Sequence, residues 1–183
     1  MQGMKLVQRL NQHRQWANER VLSTATDLTA EQLRQPFPIG QGSVWRSLLH
    51  LYAAEYVWLE TLLGDDNALT PGDVRGQLPG NQLAGGIQTL DELIQHWQEL
   101  AERWRVYLAS LTDEQLDEVV YRISTSSGIG QRYGSRRSDV ILHVCTHAQY
   151  TLAQVNNMFR QLHASTTDVM LITLARNEST PRS

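Results

Sequence analysis

The sequence predicts an all-α protein, a single-domain helical bundle, on three observations. Four long stretches repeat apolar residues at helical spacing, and the segments between them hold nearly all of the glycine and proline. Only one short stretch is rich in β-branched residues. With 183 residues, 41% of them hydrophobic and 19% charged, the chain is long enough to bury one core of its own. The domain is expected to span residues 1–177, with 178–183 as a loose tail.

The first helix is predicted from Met4 to about Thr26, where Leu6, Leu10, Ala17 and Val21 recur at spacings of four and seven. A short turn of helix capped by Thr29 follows, stopped by Pro36, Pro38, Gly40 and Gly42. Ser43 can cap a second helix to about Leu63, with Val44, Leu48, Leu51, Tyr52, Val57, Trp58 and Leu62 on a wide apolar face. Residues 64–88 hold six of the twelve glycines and read as a long connection with one helical turn near Pro71. Connections of that length commonly border a site.

Thr89 and Asp91 signal a third helix to Ser110, carrying Leu90, Leu93, Ile94, Trp97, Leu100, Ala101, Trp104 and Leu108. After a short turn of helix at Asp113 to Asp117, VVYRISTSSGIGQRYGSR fits a small two-stranded hairpin. The fourth long helix, about Arg136 to His163, has a seam of Ile141, Val144, Ala148, Leu152, Val155, Phe159 and Leu162. Arg136 and Arg137, the one pair of adjacent cations, read as a solvated turn at its start. A last short helix, Thr167 to Arg176, precedes the NESTPRS end.

A net charge of −3, with basic residues scattered, gives no electrostatic basis for binding nucleic acid or an anionic membrane. No apolar run approaches the roughly 20 residues that span a bilayer, and the first residues lack a signal-peptide core, so a cytoplasmic protein is expected. Cys145 is the single cysteine and reads as buried packing. There is no G-x-S-x-G elbow, phosphate loop or H-E-x-x-H pattern, and Cys145 and His147, two apart on a helix, point in different directions.

The stretch HVCTHAQYTLAQ, residues 143–154, draws attention to His143 and His147, four apart on one helix face. At 100° per residue His147 projects about 60° from Val144 and about 40° from Thr151, so it borders the apolar seam, and His143 and Gln154 continue that edge. A polar strip at the margin of a core needs partners. Two readings fit: partly buried histidines bonding across the bundle, or metal ligands joined by His50 from the second helix. His13, His96 and His163 read as surface residues.

The segments WANERVL (16–22), GSVWRSLLHLYAAEYVWL (42–59), HVCTHAQYTLAQVNNMF (143–159) and TDVMLITLAR (167–176) resemble, in that order, the DinB-like proteins. The resemblance covers most of the chain, leaving the glycine-rich connection and the hairpin unmatched. It implies a four-helix bundle of up-down-down-up type with a short extra C-terminal helix, a homodimer, and a divalent metal such as zinc or nickel held by three histidines. It also implies metal-dependent thiol S-transferases and isomerases acting on a small-molecule substrate with a low-molecular-weight thiol cosubstrate, in which the metal lowers the thiol pKa; a metal-dependent hydrolase is a further expectation. The family name refers to DNA damage induction, not to DNA binding.

Carried over by position, the first ligand falls on His50 and the second on His147, while the third position holds Thr151. A neutral hydroxyl is a poorer ligand than imidazole for zinc or nickel. His143 is the candidate substitute, though it lies one turn from His147 in the direction opposite to Thr151. Glu55, Tyr150, Thr151 and Gln154 are the expected pocket residues, with Glu55 as a carboxylate near His50. Two expectations follow: a stress-related, small-ligand protein with a weakened metal site, or a metal-dependent enzyme using His50 and His147.

Overall fold

Side-chain caps set the helix starts. The Ser43 hydroxyl accepts from the Arg46 N–H at the start of α3 (Val44–Leu62). Thr29 and Thr89 each form a capping box, with Gln32 and Glu92, at the starts of α2 (Ala30–Arg34) and α4 (Leu90–Ser110). The computed structural model describes residues 3–70, 86–125 and 128–179. Its remaining elements are α1 (Gly3–Ala25), a short 3-10 turn (Glu114–Asp117), strands β1 (Val119–Ile123) and β2 (Arg132–Arg136), α5 (Arg137–Gln161) and α6 (Leu171–Ser179). The helical turn expected near Pro71 lies outside the described residues.

Hydrogen bonds between helices fix their directions. Gln8 donates to the Leu108 carbonyl and Gln15 to that of Ala101, so α1 and α4 are antiparallel. Trp97 bonds Glu55 and Tyr107 bonds the Leu62 carbonyl, so α3 and α4 run the same way. His50 meets His147 and Trp58 meets His143, which makes α3 and α5 antiparallel. The result is the up-down-down-up four-helix bundle. Parallel neighbours need a crossover connection that returns over the length of α3, roughly 28 Å.

The core is one cluster drawn from all four long helices, including Leu48, Leu51, Trp97, Trp104, Val144, Leu152 and Phe159. Each such side chain contributes about 1.5–3 kcal/mol on burial. The α5 seam is buried as expected, but α1 is rotated from its expected face. Leu6 is 67% exposed, while Met4, Val7, Asn11, Arg14, Ala17, Asn18 and Val21 face inward. The cause is a polar network with Glu55, described below, which repays burial of Asn11, Arg14 and Asn18.

Three further expectations are corrected. His13 is buried, its Nε2 lying 2.7 Å from the Val169 carbonyl oxygen, so it ties α1 to the segment before α6. Arg137 is no solvated turn: it donates to the Gln115 and Leu62 carbonyls and pairs with Glu118 at 2.7 Å, clamping the start of α5. The last helix starts at Leu171 instead of Thr167, because the Asp168 carboxylate accepts from the Met170 N–H and the Thr173 hydroxyl. It continues to Ser179, and Glu178 pairs with Arg9 at 2.7 Å. Among the described residues no helix is long and apolar enough to cross a membrane.

Candidate functional site

α3 and α5 bring His50 and His147 together. Their Nε2 atoms are 3.2 Å apart and the rings meet edge to face, with centroids 5.1 Å apart. Two imidazole nitrogens on one tetrahedral zinc, each 2.0–2.1 Å from the ion, stand about 3.3 Å apart. The spacing therefore fits a shared metal as well as an N–H···N bond in which one ring donates and the other accepts. Thr151 lies one turn further along α5 and is 2% exposed, between Ala148 and Leu152 of the core seam. Burial pushes the His147 pKa down to about 4, and the neighbouring His50 and His143 add to the shift.

His143 runs alongside His147, ring centroids 5.8 Å apart, and turns its own ring against Trp58 at 5.4 Å. Among the described residues no group of three His, Cys, Asp or Glu side chains is arranged to hold a metal ion. The His50 and His147 imidazoles alone are one ligand short of the three protein ligands typical of a catalytic zinc site.

Glu55 does not turn toward His50. At five residues further along α3 it points about 140° away, into the interior between α1, α3 and α4. There it is 2% exposed, accepts from Asn18 Nδ2 at 2.8 Å and Trp97 Nε1 at 3.0 Å, and lies 2.8 Å from Arg14 Nη1. Arg14 also donates to Asn11 and stacks its guanidinium 4.5 Å from the Trp104 ring centroid. The network borders a cavity of about 220 Å³ between α1 and α4, with Leu22, Ile94 and Trp97 in its wall. Its sequence signal was the spacing of Asn11, Arg14 and Asn18, three and four apart on α1, which only a partner on α3 makes intelligible.

Tyr150 stands at the surface, 69% exposed. Gln154 lies under the loop before α3, where its side chain packs against Gly40. Neither touches the histidine pair in the contacts described. Cys145, buried on the same helix, has its thiol pushed up to about 11, chiefly by burial.

The fold agrees with an independent match: residues 13–155 fit the DinB superfamily. The chain belongs to the DinB superfamily. Two solved structures share this DinB fold. A DinB-like protein from Bacillus cereus ATCC 10987 aligns over 88% of this chain and 95% of its own, with a TM-score of 0.59 and 14% identity. YfiT from Bacillus subtilis, described as a probable metal-dependent hydrolase with an unusual four-helix bundle topology, aligns over 90% and 89%, with a TM-score of 0.60 and 21% identity. At these identities the likeness concerns the DinB fold alone. No curated protein matches the chain.

Proposed function

We propose that this DinB protein is a small-ligand protein whose two-histidine centre binds a divalent metal weakly. The observation that carries this reading is the 3.2 Å approach of His50 and His147, taken with a buried threonine, Thr151, where the family resemblance puts a third histidine. The imidazoles suit zinc or nickel. The threonine brings no charge to offset the cation and replaces the donor that would close the set.

A second reading is a divalent-metal-dependent enzyme, a hydrolase or thiol S-transferase, with water beside the two imidazoles. The description of YfiT as a probable metal-dependent hydrolase favours it. The family resemblance also implies a homodimer, which sizing at working concentration tests.

Metal content by elemental mass spectrometry decides between the readings, on untagged protein purified without chelator and on His50→Ala. Weak, substoichiometric zinc or nickel that disappears in the variant is the expected result. Stoichiometric metal with hydrolase or thiol-transfer turnover favours the enzyme. Protein that neither carries nor takes up an ion overturns both.

A further inference from the structure

The hairpin roofs a second cavity, of about 410 Å³, against the end of α3 and the start of α5. β1 and β2 pair antiparallel, with Val120 opposite Ser135 and Arg122 opposite Tyr133. Alternation along the strands puts these four residues on one face, and all four line the cavity. Trp58, Thr61 and Val140 form the opposing wall. On the other face, Arg132 stacks on Tyr121 and pairs with Asp66 at 2.7 Å.

Arg122 is the cation of this cavity, and none of the cavity's described lining residues is acidic. Its Nη1 donates to the Thr61 hydroxyl at 3.2 Å and the Ala68 carbonyl at 3.1 Å, and its guanidinium lies 5.3 Å from the Trp58 ring centroid. Those partners are neutral. The nearby carboxylate of Asp66 is already taken by Arg132, and among the described residues no carboxylate pairs with Arg122. Half-burying a guanidinium costs desolvation that neutral partners offset only in part. Burial accordingly pushes its pKa down, with Asp65 acting weakly in the opposite sense. Among the described residues both of its hydrogen bonds are made by Nη1, so Nε and Nη2, a fork geometrically suited to two oxygens, carry none, and Arg122 lines the cavity.

We propose that the cavity under the hairpin binds the oxyanion group, carboxylate or phosphate, of a small ligand, with Arg122 as the anchoring cation. Trp58 joins this cavity to the histidines, since its ring packs on His143. Val140 in the cavity wall and His147 are seven residues apart on α5, about 10 Å along the axis. A ligand anchored in the cavity has to extend at least about that far along α5 to meet His147. That the anchored ligand is the substrate of that pair rests on the metal-centre reading; the oxyanion site does not.

The test is an amide-resolved NMR titration of the metal-free protein, in the presence of chelator, with phenylacetate, phenyl phosphate and neutral phenylacetamide. At least one anionic probe is expected to shift Arg122, Ser124 and Ser135 amides and to bind at least about tenfold more tightly than phenylacetamide. The tighter of the two anions identifies carboxylate or phosphate as the group recognised. Arg122→Gln removes the preference. Ser135→Glu, a surface change that sets a carboxylate diagonally across the hairpin from Arg122, removes it without touching the buried contacts. Equal binding of neutral and anionic probes, no binding, or a preference that survives both variants overturns the proposal. His50→Ala is expected to leave anion binding intact, so loss of metal there bears on the metal centre alone.

Discussion

Arg14 Nη1 and Glu55 Oε2 meet 2.8 Å apart in the interior of the bundle, the two side chains 1% and 2% exposed. Removing one member of such a pair leaves the other as a buried, uncompensated charge, which typically costs about 3–5 kcal/mol. Glu55→Leu alone should lower unfolding free energy by about that amount, and Arg14→Leu combined with Glu55→Leu should recover part of it. Urea denaturation of the wild type, both single variants and the double variant measures the coupling. Additive losses would show that the pair acts independently.

Thr151→His restores an imidazole at the position one turn from His147. Outer-shell contacts alone change metal affinity by 10–100-fold, so a direct ligand should raise zinc affinity by more than about 100-fold. Competition with a chromogenic chelator reads this directly. An unchanged affinity would remove Thr151 from the centre, and Glu55→Gln, whose carboxylate faces Arg14, should leave affinity unchanged in the same assay.

His147 titrates near 4 in the folded metal-free protein, against about 6.5 unfolded. Between those values the unfolded chain binds more protons, so this histidine contributes stability in full above about pH 6.5. That contribution is lost as pH falls toward 4. Denaturation midpoints across this range should decline in the wild type and decline less in His147→Gln, and proton NMR should place the ring transition near pH 4.

Cys145 is buried and its thiol is pushed up to about 11. At pH 8 the thiolate is about one part in a thousand, so an aromatic disulfide reagent should modify the native protein slowly and the urea-unfolded protein at the rate of a free thiol. Equal rates would place Cys145 at the surface.

Gly40 has φ of +50°, and an added Cβ there would run into the Gln154 side chain. Gln154 can move aside; the backbone cannot. Gly40→Ala should therefore cost about 1–2 kcal/mol, the ordinary penalty for a side chain in the left-handed region. A thermal melt of the variant checks this, and an unchanged midpoint would mean the loop adopts another conformation.

The sequence by itself determined the four long helices, their caps at Thr29, Ser43 and Thr89, the α5 seam and the hairpin, because periodicity, capping and turn chemistry are local. Its order of motifs also identified the family and paired His50 with His147, which lie 97 residues apart and meet through their Nε2 atoms. Tertiary structure decided what depends on facing elements. Arg14 and Asn18 lie inside because Glu55 of α3 pairs with the one and accepts from the other, and Asn11 because it accepts from Arg14, although all three resemble a solvated stripe on α1. Glu55 consequently serves that network and not the histidines. Arg122 became a candidate anchor only when hairpin pairing set it over Trp58, since an isolated arginine in a strand carries no record of which charges its neighbours lack.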